Sequence, residues 1–219
     1  MVVQLLKKDF LVAKRNVIVV AILIIAINVW SAFLQGDMFL KALPFFYSVT
    51  FCSLLLLNTS SQNELRYSKA LAYLCALPFP RSAFVKAKYA ILLMVFLFCM
   101  IVNMIANAIF NNSDFLPLPL VLLALAIVVI IFGIYLPVEF KYGYIKTKFL
   151  FMVIVLLLAF TPQVLAAVLG RYAEKFEGFF ASIMQIPENT QCIILAVISA
   201  AIFFISLMIS IKIFAKKDL

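Results

Sequence analysis

Apolar runs of about 20 residues, separated by short polar segments, follow one another along almost the whole chain. About 20 apolar residues in a helix cross a hydrocarbon core, so each run is long enough to span a membrane. Lipid offers no partner to free backbone groups, so each span must be helical. We therefore predict an all-α membrane protein with a single transmembrane domain over residues 1–219. Its six predicted spans are Asn16–Leu34, Lys41–Leu57, Tyr89–Phe110, Leu116–Leu136, Phe149–Leu169 and Gln191–Ile211.

The composition supports this interpretation. The chain is 67% hydrophobic and 12% charged, whereas soluble domains are about half apolar and about a quarter charged. It has no His, which removes the commonest metal ligand and acid–base group. Its four Cys are isolated from one another, so they predict neither a metal site nor a disulfide framework.

The net charge of +9 is explained by topology and does not call for a nucleic-acid partner. Fifteen of the 18 Lys and Arg fall in the amino terminus, the segments 58–88 and 137–148, and the carboxyl-terminal tail. These segments alternate with the six spans, and cytoplasmic loops carry the excess of basic residues. The pattern predicts a multi-pass membrane protein with both termini in the cytoplasm.

Two segments outside the spans have helical periodicity. In residues 1–15, an apolar face predicts an amphipathic helix lying in the membrane interface. That face comprises Val3, Leu6, Phe10, Ala13 and, just beyond, Val17. In the outer loop 170–190, large apolar residues recur at helical spacing: Phe176, Phe179, Phe180, Ile183 and Met184. This loop is interpreted either as an interfacial or re-entrant helix or as an ordinary loop that covers the bundle.

The sequence excludes several kinds of chemistry. It has no GxxxxGK[ST] phosphate loop, and no ionisable residue lies well inside a predicted span. Ion-coupled carriers place ionisable groups near the middle of the bilayer, so coupled transport is disfavoured. No acid–base pair or nucleophile arrangement points to an enzyme. If the protein moves a solute against a gradient, the energy must come from a partner.

The few polar residues inside the spans have two interpretations. Asn103 and Asn107 lie four apart on one face of span three, and Thr161, Pro162 and Gln163 interrupt span five. They could make interhelical hydrogen bonds worth about 1 kcal/mol or less each, with a proline kink. Alternatively, they could line a translocation pathway or a subunit seam.

The segment 58–88 is predicted to form a helix, a hard turn and a second helix. Ser61 and Glu64 have the spacing of a capping box, which predicts a helix beginning at Ser61. Pro78 and Pro80 would end that helix, and Ser82 would cap the next one. An apolar stripe of Tyr67, Leu71 and Leu74 favours a docking surface for a cytoplasmic partner over a helix that only lies on the anionic membrane surface.

Three features resemble the membrane subunit of a type-2 ATP-binding-cassette exporter of the small bacterial kind. They are the cytoplasmic helix opened by Glu64 and followed by "ALPFPRSAFVKAKY", the segment "LPVEFKYGYIKTKF" after span four, and the amphipathic amino-terminal helix. The resemblance in architecture covers essentially the whole chain.

The resemblance implies a mechanism and a set of partners. Two permease subunits, identical or paralogous, would pair in the bilayer, and each would dock a separate cytoplasmic ATPase that holds ATP and Mg²⁺. This chain would bind no cofactor itself. The short coupling helix between spans two and three would carry the docking residues, namely Glu64, Arg66, Tyr67, Lys69, Leu71 and Arg81. The implied cargo is an amphipathic peptide, such as a phenol-soluble modulin or an antimicrobial peptide, or a hydrophobic toxic compound.

Two other classes of function stay open. A non-transporting immunity or sensor subunit would need a docking helix but no pathway. A secondary transporter or channel would need a pathway but no ATPase.

Overall fold

The structure is a computed structural model that describes residues 2–33, 38–66, 81–110, 116–161 and 187–216. Within these ranges the chain forms helices and no strands, and six of the helices are long and apolar enough to cross a membrane. The predicted all-α fold with six spans is confirmed. The helices are α1 (Val2–Val12), α2 (Lys14–Phe33), α3 (Met38–Arg66), α4 (Arg81–Ile109), α5 (Leu118–Tyr142), α6 (Tyr144–Thr161) and α7 (Glu188–Ala215).

Contacts at both ends of the bundle show that successive spans run in opposite directions. Asn16, near the start of α2, donates to Thr59 in the last turns of α3 (3.2 Å). At the other end, the rings of Phe33 in α2 and Phe110 after α4 lie 4.5 Å apart. We name the end of the bundle that holds Lys14, Arg66, Arg81 and Gly143 the basic end.

The centre of the bundle is formed by α3 and α4. In their apolar segments 50% and 44% of the residues are buried, against 11% in α6 and in α7. The spans α2, α3 and α4 pack together, α5 packs most extensively on α7, and the contacts α4–α7 and α3–α5 join the two groups. Tyr89, Tyr135, Phe45 and Phe132 are the largest fully buried side chains.

The predicted helix start at Ser61 is wrong. The α3 helix continues without a break from the second span to Arg66, and Ser61 lies inside it with 3% of its surface exposed. In the polar run after Leu57, Thr59 and Ser61 have hydrogen-bond partners, whereas Asn58 Oδ1 and Ser60 Oγ are buried with no partner among the described residues. The Thr59 hydroxyl donates to the Leu55 carbonyl of its own helix (2.8 Å). The second span is therefore longer than predicted.

The predicted loop 137–148 is also wrong. Pro137 lies inside α5, and only Gly143 separates α5 from α6. The Gly143 amide donates to the Glu139 carbonyl (2.9 Å), and the Gly143 carbonyl accepts from the Thr147 amide (3.2 Å) and hydroxyl (2.9 Å). These bonds satisfy backbone groups that the helix break would leave free.

The amino-terminal helix α1 packs chiefly on α4. Its buried side includes Leu5, Leu6 and Ala13, with Phe10 packed against the core, while Lys7 is exposed. The sequence had placed Leu6, Phe10 and Ala13 on this face but not Leu5. The helix is amphipathic, and its apolar side is covered by protein.

Several predicted elements lie outside the described residues. They include most of the cytoplasmic helix and turn in 67–80, the end of span five after Thr161, and all but the last residues of the outer loop 170–190. The interfacial and ordinary interpretations of the outer loop both stand. The last span begins at Glu188, three residues before its predicted start.

Gly143 has φ +79° and ψ 168°, a conformation that residues with a Cβ adopt only with strain. No atom lies within 4 Å of a Cβ added there, so the cost would be that of the backbone alone. We expect Gly143→Ala to lower the free energy of unfolding by about 1–3 kcal/mol.

Gly133→Ala is the matched control, because its Cβ would lie in ordinary contact, 3.6 Å from Ile202 and from Ser206. Unfolding in mixed micelles, followed by circular dichroism, compares the two variants. An equal loss in both would contradict the assignment of strain to Gly143.

Candidate functional site

The predicted docking residues fall at the basic end, where α3 leads into segment 67–80 and α4 returns from it. The backbones of Glu64 and Arg66 lie in the last turn of α3, and that of Arg81 begins α4. Their side chains, and all of Tyr67, Lys69 and Leu71, lie outside the described residues. The docking assignment therefore stays a prediction. The structure describes the helix ends on either side of this segment.

A buried ion pair lies near these helix ends. The Lys88 ammonium on α4 lies 2.7 Å from Glu139 Oε1 on α5, and the two side chains are 3% and 4% exposed. Lys88 also donates to the Ser61 hydroxyl on α3 (2.8 Å), and Ser61 in turn donates to Glu139 Oε1. One hydrogen-bonded triangle thus joins three spans. Both charges, which the predicted boundaries placed outside the spans, belong to membrane-spanning helices and lie near one end of each.

Three aromatic rings surround the pair. Lys88 Nζ lies 5.8 Å from the Phe84 ring centroid and 5.5 Å from that of Phe140. Phe214 at the end of α7 stacks on Phe84 (5.5 Å) and meets Phe140 at an angle of 63° (5.4 Å). The rings exclude water and offer their π faces to the ammonium. We name the set Ser61, Phe84, Lys88, Glu139, Phe140 and Phe214 the Lys88–Glu139 cluster.

The electrostatics of the cluster make its two charges depend on each other. Taking a charge out of water costs several kcal/mol, and only a close, hydrogen-bonded partner offsets that cost. Glu139 Oε2 is buried and has no hydrogen-bond partner among the described residues. The carboxylate therefore depends on Lys88 and Ser61, which both contact its other oxygen.

The sequence contains a sign of this cluster, but the predicted span boundaries placed both of its charged residues outside the spans. Glu139 is the only acidic residue between 116 and 161. Placing it in a loop made it look solvated, and Lys88 was counted among the loop charges. The Ser61 hydroxyl, interpreted as a helix cap, belongs to the same cluster.

Asn103 and Asn107 take part in a second polar network, toward the end of the bundle opposite the basic end. The Asn107 side-chain amide donates to the side-chain oxygen of Asn103 (3.1 Å). The side-chain amide of Asn103 in turn donates to the side-chain oxygen of Asn28 on α2 (3.1 Å). Asn28 donates to the Ser48 hydroxyl on α3 (3.0 Å) and to the Ile24 carbonyl (2.8 Å). All four polar side chains are buried. These contacts favour interhelical hydrogen bonding for the two residues, whereas a pathway or subunit-seam role stays untested.

A third network joins α4 to α5 and α7. The Tyr89 hydroxyl is 2.6 Å from that of Ser206 and 2.9 Å from that of Ser210, and Ser206 donates to the Gly133 carbonyl (2.9 Å). Of the interrupting residues in span five, only Thr161 is described. It donates to the Leu157 carbonyl of its own helix (2.6 Å), while Pro162 and Gln163 lie outside the described residues.

The described residues contain no group of three His, Cys, Asp or Glu side chains that could hold a metal ion. What the Lys88–Glu139 cluster can do is mechanical. It fixes α3, α4 and α5 relative to one another directly beside the segment that is predicted to dock a partner.

We expect Lys88→Met to lower the free energy of unfolding by about 3–5 kcal/mol, because Glu139 would stay buried without its counter-ion. The double variant Lys88→Met/Glu139→Leu should recover most of that loss. Lys86→Met, two residues away and exposed, is the control. The measurement is the unfolding of each purified variant in mixed micelles. A single variant as mild as the control, or a double variant no better than the single one, would contradict the ion pair.

Comparison with known proteins agrees with the resemblance noted in the sequence. The family described as ABC-2 family transporter protein matches the chain over residues 4–215. No curated protein and no solved structure matches it significantly. Because the family match covers nearly the whole chain, the protein belongs to the ABC-2 transporter family, as a type-2 permease subunit of the membrane.

Proposed function

We propose that the protein is the transmembrane subunit of an ATP-driven exporter that works as a pair of permease subunits with separate cytoplasmic ATPases. The observation that carries this proposal is the family match over residues 4–215 in a chain that has no phosphate loop of its own. A permease without a nucleotide site needs a partner that hydrolyses ATP. Both ATP and Mg²⁺ would bind to that partner.

The orientation follows from the distribution of charge. The excess of Lys and Arg on one side of the six spans favours a bacterial inner-membrane protein with its basic end and both termini in the cytoplasm. The segment between α3 and α4 would then face the ATPase. Because interface energy concentrates in a few aromatic, Leu or Arg residues, Tyr67, Leu71 and Arg66 are the anchors of this docking surface.

The Lys88–Glu139 cluster supports a route for the movement. A force applied to the segment between α3 and α4 reaches the ends of both helices, and the cluster links both to α5 through Ser61, Lys88 and Glu139. Displacing α4 or α5 alone would break a buried ion pair at a cost of about 3–5 kcal/mol. Displacing α3 alone would break the hydrogen bonds of Ser61 to both charges. The three spans would therefore move together when the ATPases close.

The proposed cargo is an amphipathic peptide, or another hydrophobic toxic compound, as the resemblance to small bacterial exporters implies. The Phe-rich composition adds little to this assignment, since Phe is also a common lipid-facing residue. The closing experiment is transport in vesicles that contain the permease, its ATPase and a labelled amphipathic peptide such as a phenol-soluble modulin. ATP-dependent accumulation of the peptide is the expected result.

Two outcomes of this experiment would point to the other classes of function. ATPase binding without any flux would favour an immunity or sensor subunit. Flux in the absence of the ATPase would favour a secondary transporter or channel. In cells, normal export of the peptide by a strain lacking the protein would contradict the peptide assignment.

Docking and transmission can be separated with two variants. We expect Tyr67→Ala/Leu71→Ala to lose co-purification of the ATPase, because the anchors of the interface are gone. Lys88→Met/Glu139→Leu should retain the ATPase but lose most of the peptide transport. Membrane insertion of both variants serves as the control. Unchanged ATPase capture by the first variant would refute the docking assignment, and unchanged transport by the second would refute the transmission route.

A further inference from the structure

A lateral groove of about 550 Å³ runs between α3, α5 and α6. Its walls are apolar except for Thr161, whose hydroxyl is already bonded to the Leu157 carbonyl. Ile134 and Leu157 on its two sides stay 60% and 64% exposed, so the groove opens toward the surrounding lipid. Such a surface accepts a hydrocarbon chain and offers no partner to a polar ligand.

The groove is long in comparison with one leaflet of the bilayer. Its α5 wall extends from Leu120 to Ile134, a distance of about 21 Å along a helix. The hydrocarbon core is about 30 Å thick, or about 15 Å for each leaflet. A single acyl chain that enters from the basic end would therefore fill the nearer part of the groove, between α5 and α6. The α3 residues of the groove lie near the start of α3, at the opposite end.

Both walls continue into a lysine at the basic end. On α5, Lys141 follows Ile134 by seven residues, which is two helical turns on the same face. On α6, Lys146 precedes the lining residue Leu150 by four residues, one turn on the same face. Both lysines are exposed. The two strips of apolar residues thus end in positive charge on either side of Gly143.

No acidic side chain neutralises this charge within the described residues 116–161. The single carboxylate there, Glu139, is buried and paired with Lys88. Near the membrane surface, each exposed lysine attracts anionic lipid by about 1 kcal/mol. The groove and the two lysines together match a molecule with a long apolar chain and an anionic head.

We propose that this groove is a binding site for an anionic glycerophospholipid from the leaflet at the basic end. One acyl chain lies between α5 and α6, and the phosphodiester group lies against Lys141 and Lys146. The bound lipid fills the space beside α6 and fixes its position against α5. The site is independent of the cargo and of the ATPase.

Native mass spectrometry of the purified full-length chain, delipidated and titrated with phosphatidylglycerol or phosphatidylcholine of equal chain length, tests the headgroup part. We expect one phosphatidylglycerol to bind preferentially. Lys141→Gln/Lys146→Gln should weaken that binding about 30-fold, since two attractive charges are lost. Lys148→Gln removes an exposed lysine from the same helix but from another face, and it should retain the binding.

A second pair of variants tests the acyl-chain part. Ile127→Trp fills the groove from α5, whereas Ile130→Trp places the same side chain on the neighbouring face, which does not line it. Only the first should lose the lipid. In the unmodified protein, short-chain phosphatidylglycerol should bind far more weakly than the long-chain form, which tests the groove without any substitution.

Several results would overturn the proposal. They are equal binding of the two headgroups, an equal loss in Lys148→Gln, equal binding of short and long chains, or equal effects of the two Trp variants. A peptide or a second copy of the chain, seen as added mass in place of the lipid, would do the same.

Discussion

The pairing of Lys88 with Glu139 is the interaction on which the basic end of the bundle depends. Hydrogen bonds between spans in a membrane contribute on average about 0.6 kcal/mol each, whereas removing one partner of a buried ion pair costs about 3–5 kcal/mol. Removing either charge alone would therefore cost more than losing any single bond of the networks around Asn103 and Tyr89. The pair fixes α3, α4 and α5 where their chains leave the membrane, with Phe214 adding the end of α7 through its rings.

The three polar networks around Lys88, Tyr89 and Asn103 all include α4. Lys88 joins it to α3 and α5, Tyr89 to α5 and α7, and Asn103 to α2. In contrast, the threonine hydroxyls of α6, Thr147 and Thr161, bond to backbone carbonyls of their own segment. The apolar residues Leu150, Phe151, Ile154 and Val155 of α6 pack against the core. The three networks thus hold α2, α3, α5 and α7 to α4, and none of them includes α6.

The sequence was sufficient for the architecture because long apolar runs have few alternatives in a bilayer. It was least reliable where polar residues follow an apolar run directly. The runs after Leu57 and after Leu136 look like loops by composition, but the helices continue through both, and Ser61 and Glu139 bond to Lys88 inside the bundle. Ser61 had the spacing of a helix cap, yet its partners lie 27 and 78 residues away. Local pattern cannot reveal partners so distant along the chain, and for this reason the Lys88–Glu139 cluster was missed.

The burial of Lys88 separates the lysines of the basic end into two kinds. Lys88 is neutralised by a protein carboxylate and shielded by rings, so it belongs to the structure of the bundle. Without it, fourteen of the remaining 17 Lys and Arg still lie on the same side of the spans, so the predicted orientation does not depend on this residue. Lys141 and Lys146 are exposed, and Glu139, the acid nearest to them in sequence, is held by Lys88. Within the described residues 116–161, the internal ion pair thus leaves Lys141 and Lys146 without a competing carboxylate, so an anionic membrane or a partner can supply their counter-charge.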